Sequence, residues 1–332
     1  MPIRSRAPMR ISFAGGGTDV PPYCDEHGGY VVSGAIRLYA HTTLAPTGNR
    51  EIVITSGDLL QTRRFASQES MTSNKDMDLL KAAVRGMNTK GRGVDVSFFT
   101  EVPPASGLGG SASAFVSLVG AFDGLDGRGM SRHGMAETAL RLEREELKVA
   151  GGKQDQYAAA YGGLNGITFG KDNVRVTPLR VDEQTRLDLE QHLLLVYTGG
   201  RSIGSGSDII KDQRGATDEF HKTKRIAFSA RDALESGNLI RLGELLHEGW
   251  ETKKRFSAKI SNRHLDDLYR HARDNGVLGG KVTGAGGGGF MLFLCGPGKR
   301  PLLARDLKRK GFETMTVSFD YEGLKTWETA YV

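Results

Sequence analysis

Three glycine clusters, each beside hydroxyl or acidic residues, hold the chemistry open to this chain. They are Gly15-Gly16-Gly17 ahead of Thr18-Asp19, Gly107-Leu-Gly-Gly110 between Ser106 and Ser111, and Gly284-Ala-Gly-Gly-Gly-Gly289 near the C-terminus. Glycine makes up 45 of 332 residues, nearly twice the usual ~7% share. The segments between the clusters have ordinary helix and strand patterns, so the clusters read as separate tight loops where backbone approaches something closely. Pro104-Ala-Ser-Gly-Leu-Gly-Gly-Ser-Ala-Ser113 runs into an apolar helix, offering bare backbone N–H groups at the positive end of a helix dipole. That is a place for an anion. The Ser106, Ser111 and Ser113 hydroxyls can donate to phosphate or ligate Mg²⁺. The same residues also fit a capped helix after a flexible turn, with Ser111 as a plain N-cap.

A second constellation is Leu142-Glu-Arg-Glu-Glu-Leu-Lys-Val-Ala-Gly-Gly-Lys-Gln-Asp-Gln-Tyr157. It places acidic side chains at the end of one helix and Asp155 at the start of the next. Asp155 there can simply complement the helix dipole, or it can accept a hydroxyl proton while a neighbouring Glu holds Mg²⁺. Spacing does not choose between these.

Other chemistries lack their signatures. Gly107-x-Gly109-x-x-Ala112 and Gly284-x-Gly286-x-x-Gly289 both match G-x-G-x-x-G/A, but the first lies well beyond its strand and the second leads into another strand. A dinucleotide fingerprint requires a strand, a tight turn and a helix in direct succession. There is no G-x-x-x-x-G-K-[ST], no G-x-S-x-G and no H-E-x-x-H. His264 and His271 share a helix face without a third ligand. Two cysteines, Cys24 and Cys295, exclude a disulfide scaffold and a thiolate zinc site. The net charge of +6 comes from scattered lysines and arginines without interleaved aromatics, which argues for no nucleic-acid partner. No apolar run is long enough to span a bilayer, so no membrane association and a cytoplasmic location are expected.

The elements that must position these residues follow from periodicity. Met9–Phe13, Tyr30–Leu44, Glu51–Thr55, Thr62–Phe65 and Val94–Thr100 read as strands of an antiparallel meander. Asp76–Met87 reads as a helix, Ser111 opens an apolar one (Phe115, Phe122), Ser131 caps another that runs to about Val149, and Lys153–Tyr161 reads as a fourth. Strands over Leu164–Phe169, Val174–Leu179 and His192–Thr198 precede charged helices at about 217–236, 238–256 and 262–275. A strand leads into the third glycine cluster and Phe290–Leu294 leaves it. A helix near Leu302–Lys310 and a last strand, Thr314–Phe319, complete the chain. Mixed order argues an α+β fold, with a boundary that divides residues 1–185 from 186–332.

Taken together, the three loops resemble the GHMP kinase superfamily, which includes galactokinase, homoserine kinase and mevalonate kinase. Ala7-Pro-Met-Arg-Ile-Ser-Phe-Ala-Gly-Gly-Gly-Thr-Asp19 is similar to its N-terminal substrate motif, Pro104–Ser113 to its nucleotide phosphate loop, and Gly284–Gly289 to its third motif. The resemblance implies an α+β two-domain GHMP kinase fold, with a ribosomal-protein-S5-like N-terminal domain, a ferredoxin-like C-terminal domain and a cleft between them. It implies ATP and a sugar phosphate as partners, Mg²⁺ as cofactor, and it admits a homodimer. Carried over residue by residue, it makes Asp155 the base and Arg10 the cation facing it. Ser106, Gly107, Leu108, Gly109, Gly110, Ser111, Ala112 and Ser113 would hold the nucleotide phosphates. Gly15, Gly16, Gly17, Thr18, Asp19, Gly286 and Gly287 would bind substrate, and Ser111 with Glu143 would hold Mg²⁺.

Within the superfamily, Arg10–Asp19 followed by Tyr23-Cys24 and His27-Gly-Gly-Tyr30 looks most like the heptose 7-phosphate kinase branch, which implies transfer to the anomeric hydroxyl for surface polysaccharide synthesis. L-fucose or other hexose 1-kinases share much of this texture. A catalytically silent sugar and nucleotide sensor on the same fold is the alternative from another class, and the joint presence of Asp155, Arg10, Glu143 and Ser111 argues against it. A phosphorylated acceptor would need a cationic pocket, for which Arg4, Arg6, Lys153, Arg201 and Lys281 are candidates. Thr198–Ser207 could form a further phosphate-contacting loop or a linker.

Overall fold

The structure, a computed structural model, describes residues 1–72, 77–148, 151–200, 205–213 and 215–330. The first part of the chain runs β1 (Ile3–Ala14), α1 (Tyr23–His27), β2 (Gly29–Pro46), β3 (Ile52–Ser56), β4 (Gln61–Phe65), α2 (Asp78–Met87), β5 (Val94–Thr100), α3 (Gly110–Asp126), α4 (Arg132–Leu147), α5 (Gln154–Tyr161), β6 (Leu164–Phe169) and β7 (Val174–Pro178). The second runs α6 (Glu183–His192), β8 (Leu193–Tyr197), α7 (Ser205–Asp212), α8 (Thr217–Glu235), α9 (Leu239–Lys253), α10 (Arg263–Asp274), β9 (Val277–Val282), β10 (Phe290–Cys295), α11 (Arg300–Arg309), β11 (Glu313–Thr316) and β12 (Lys325–Glu328).

Two sheets organise these elements. The larger has the order β12-β1-β2-β5-β3-β4, with β6 added to β2 and β7 to β6. Its axis is β2, long enough to pair Gly29–Gly34 with β6 and Ala40–Pro46 with β5. The smaller sheet has the order β11-β8-β10-β9 and is antiparallel throughout. In β10, Phe290, Leu292 and Leu294 enter the larger core, while Met291, Phe293 and Cys295 enter a second core with α10 and α11. That two-residue alternation is the pleat of a strand covered on both faces.

Helix α3 is apolar all round and buried from Ala112 to Asp123, as a central helix must be. It begins at Gly110, with Gly109 at the N-cap and no side-chain cap, so Ser111 lies in the first turn instead of capping it. The division at residue 185 cuts α6, which Asp182 caps by accepting a hydrogen bond from the Thr185 amide at 2.7 Å. The tail returns to the first sheet, where β12 pairs Glu328 with Ile3 and Lys325 with Arg6. Its side chains are exposed, so it has no apolar alternation by which a sequence could announce it. Among the described residues, no helix is long and apolar enough to cross a membrane.

Candidate active site

β1 supplies the first functional side chain. Arg10 and Ser12 share one face of the strand while Met9, Ile11 and Phe13 fill the core. Arg10 is almost wholly buried and donates from Nε and Nη2 to the two carboxylate oxygens of Asp155, both at 2.7 Å. This bidentate, charge-assisted pair fixes both side chains in one plane. Its remaining nitrogen, Nη1, donates to the Gly107 carbonyl at 2.7 Å, and its backbone amide donates to the Leu108 carbonyl at 2.9 Å. One arginine therefore joins β1, the second glycine loop and the first turn of α5.

The loop itself requires glycine. At Gly109, φ is +83°, and a Cβ would lie 3.4–3.5 Å from the Arg10 side chain and the Asp155 carboxyl carbon. The amides of Gly110, Ser111 and Ala112 occupy the uncapped first turn of α3, where an anion finds both donors and the positive dipole end. Ser111 is exposed and donates to Glu143 Oε1 at 2.6 Å; Glu143 Oε2 accepts from Gln156 at 2.5 Å. Burial pushes the Glu143 carboxyl above its ordinary value, the nearby Asp155 charge adds to that, and the Ser111 and Gln156 hydrogen bonds oppose it. Ser113 faces inward, donating to the Pro8 carbonyl at 2.8 Å, and Ser106 is buried where the second and third loops meet.

On the other side of Asp155 stands the first glycine loop. Asp19 Oδ1 accepts from the Gly17 amide at 3.1 Å, while Oδ2 accepts from the Gln154 amide and side chain at 3.1 and 3.2 Å. The Asp19 carboxylate thus ties the loop to the start of α5, one residue from Asp155. Thr18 closes the loop by donating to the Gly15 and Tyr30 carbonyls. Gly16 and Gly17 are half-buried at its tip.

The third loop backs the second. The Phe290 amide donates to the Ser106 carbonyl at 2.9 Å, the Gly289 amide to Gly199 and the Gly287 amide to Ile260. Gly284 packs against Gly107, and Gly286 against Ile260.

The five cation candidates separate. Lys153 pairs with Asp25 at 3.1 Å and donates to Gly170. Arg6 lies over the Tyr39 ring and pairs with Glu322 at 3.6 Å, and Arg4 pairs in register with Trp327 at the sheet edge. Arg201 lies outside the described residues, as does much of the loop before Ser205. Lys281, in β9, is 5% exposed and lies within the fields of Arg10 and Asp19. Burial pushes its ammonium down to about 8, with the Arg10 charge adding to the shift and Asp19 opposing it. Gln156, the second partner of Glu143, has no motif to mark it in the sequence. Its only signal there is its position one residue after Asp155.

This arrangement has two sides about Asp155: on one, the uncapped first-turn amides of α3 with the Ser111–Glu143 pair, which could take an anion and a metal ion, and on the other the polar loop Gly15–Asp19. Oxygen ligands from one carboxylate and one hydroxyl suit Mg²⁺, which keeps waters and phosphate oxygens as its other ligands. Among the described residues, no cluster of three or more His, Cys, Asp or Glu could hold a metal alone.

Comparisons with known proteins identify the family. The family model described as the GHMP kinases N terminal domain matches residues 78–163, and that described as GHMP kinases C terminal matches 230–313. The D-glycero-alpha-D-manno-heptose 7-phosphate kinase of Campylobacter jejuni is 33% identical, with 98% of each chain covered. A crystal structure described as a D-glycero-D-manno-heptose 1-phosphate kinase from Bacteroides thetaiotaomicron superposes with a TM-score of 0.84 at 29% identity, covering 98% of this chain and 99% of that one. A second solved structure, from Campylobacter jejuni, gives 0.81 at 32% identity, with 98% of each chain covered.

Proposed function

The chain belongs to the GHMP kinase family and is one of its sugar kinases, and we propose that it transfers the γ-phosphoryl group of ATP to the anomeric hydroxyl of D-glycero-D-manno-heptose 7-phosphate. The product would be the heptose 1,7-bisphosphate, made in the cytoplasm for nucleotide-activated heptose and surface polysaccharide. The carrying observation is the Arg10–Asp155 pair held between the amide cradle at Gly107–Ala112 and the loop Gly15–Asp19.

Phosphoryl transfer asks a protein mainly to align a hydroxyl with the γ-phosphorus and to neutralise spreading charge. The Gly110, Ser111 and Ala112 amides supply donors for the phosphate oxygens. Ser111 and Glu143 would hold Mg²⁺, which when bound would neutralise phosphate charge. Asp155 accepts the proton of the attacking hydroxyl, and Arg10 keeps that carboxylate oriented beside the transferring group. The loop Gly15–Asp19 lets the sugar approach backbone closely.

An ADP-release assay over sugars and sugar phosphates tests the reading. Turnover with heptose 7-phosphate well above that with free heptose, L-fucose and other hexoses is the expected result. Preference for a free hexose would reassign the acceptor, and ATP binding without turnover on any sugar would make the protein a sensor.

A further inference from the structure

Behind the third glycine loop, one lysine is turned inward from a helix end. Lys253 is the last residue of α9 and is 6% exposed. Its ammonium donates to the carbonyl of Gly284, 31 positions away, where the third loop begins. A lysine at a helix C-terminus ordinarily complements the dipole while its charged head stays in water. This one is buried, which costs free energy that a methionine of similar length would not.

What the ammonium holds is the backbone behind the second loop. A Cβ on Gly284 would lie 2.8 Å from the Gly107 Cα, and one on Gly107 would lie 2.7 Å from the Thr283 carbonyl oxygen, so the two loops meet backbone to backbone. The Gly107 carbonyl in turn accepts from Arg10 Nη1 at 2.7 Å, and the same guanidinium grips both oxygens of Asp155. The stem of the lysine is equally fixed. Helix α9 lies so close on β9 that a Cβ on Gly279 would be 1.8 Å from the Gly243 carbonyl oxygen, and Trp250, just before Lys253, is fully buried. Lys253, Gly284, Gly107 and Arg10 therefore form a continuous series of contacts that ends at Asp155.

We propose that Lys253 is a positioning residue for phosphoryl transfer: by holding the Gly284 carbonyl it keeps Gly107 against Arg10, and so keeps the Asp155 carboxylate aimed at the acceptor hydroxyl. This rests on the base role given to Asp155 above and adds the side chain, from the second part of the chain, that maintains it. Its effect falls on the chemical step and not on nucleotide affinity. The amides offered to phosphate, at Gly110 to Ala112, belong to α3, which its own buried face holds in place. A small displacement of the reacting groups is enough to slow the transfer.

Lys253→Met tests this by steady-state kinetics with ATP and heptose 7-phosphate. The expected result is a fall of about tenfold in kcat, with the KM values for ATP and for the acceptor within about twofold of those of the unaltered protein. Lys253→Arg, which keeps a charged donor, should restore kcat to within about threefold. Unchanged kcat in folded Lys253→Met would overturn the proposal. So would a tenfold rise in ATP KM at constant kcat, since the ammonium would then serve the nucleotide directly. A lysine that only supports the fold would lower the thermal midpoint and leave kcat per folded molecule intact, which also overturns it. If Lys253→Met does not fold, Lys253→Gln, polar but shorter and uncharged, carries the same comparison. Asp155→Asn measured alongside separates the two ways of failing: near-normal turnover there removes the base reading and this inference with it, whereas a slow Asp155→Asn beside an unimpaired Lys253→Met removes the inference alone. If the unaltered protein phosphorylates another sugar instead, the acceptor is reassigned and the comparison is made with that sugar; if it phosphorylates none, the kinase reading and this inference fall together.

Discussion

In the loop 107–112 Gly109 makes room for side chains beside the uncapped amides of α3, whereas Gly107 and the loop 284–289 bring backbone against backbone. Both contain G-x-G-x-x-G/A. In the first, the amides at the start of α3 have no side-chain cap, and the one close neighbour of Gly109 is the Arg10–Asp155 pair. In the second, the amides of Gly287, Gly289 and the following Phe290 are bound to the carbonyls of Ile260, Gly199 and Ser106. Glycine spacing therefore reports close approach and does not report what approaches. The third loop acts on the chemistry at one remove, by holding Ser106 and Gly107 in place.

That contrast can be broken by substitution. The largest expected effect is Asp155→Asn, which should lower kcat by about 10² to 10⁴ while the ATP dissociation constant stays within about twofold; near-normal turnover would remove Asp155 from the base role. Next is Gly109→Ala. With φ at +83° and a Cβ against Arg10 and Asp155, turnover should fall about 10²-fold through misplacement of the pair, for a stability loss of only about 1 kcal/mol.

Gly289→Ala reverses the balance. A Cβ there would lie 2.4 Å from the Ser106 carbonyl oxygen, so the thermal midpoint should drop by an amount equivalent to about 2–3 kcal/mol. If Gly109→Ala proved the more destabilising of the two in thermal unfolding, the division of labour would be wrong.

Glu143→Gln should raise the Mg²⁺ concentration needed for half-maximal rate by about tenfold. Because burial raises the Glu143 carboxyl above its ordinary value, protons compete with the metal sooner on acidification. The Mg²⁺ requirement of the unaltered protein should then grow as pH falls, and a titration independent of pH would contradict the assignment.

Much of the fold is legible in the sequence because its signals are local. The period-two runs of β1 and β5, the continuous apolar run of β10 and the apolar all-round α3 each stand out in the order of residue types alone. β12 does not, since a short exposed edge strand has nothing to alternate, and α6 is hidden by a sequence poor in apolar residues, although Asp182 stands ready to cap it. At the candidate site, Asp155, Arg10, Glu143 and Ser111 are singled out by the family resemblance, and the structure brings them into two hydrogen-bonded pairs. Gln156 and Lys253 carry no such signal, because the atom a side chain meets is a property of its surroundings.

The amino-acid sequence by itself determined the list of parts: three glycine loops in order, the acid at a helix start and the arginine on a strand. Side-chain type and short-range backbone preference settle those without reference to distant residues. Only the tertiary structure decided which parts meet. Arg10 and Asp155 are 145 positions apart and bond at 2.7 Å, Ser111 reaches Glu143 across 32, and the Phe290 amide of the second sheet donates to the Ser106 carbonyl at 2.9 Å. Such pairings depend on how two sheets and α3 pack around a shared core, and packing is a sum over contacts that no local pattern records.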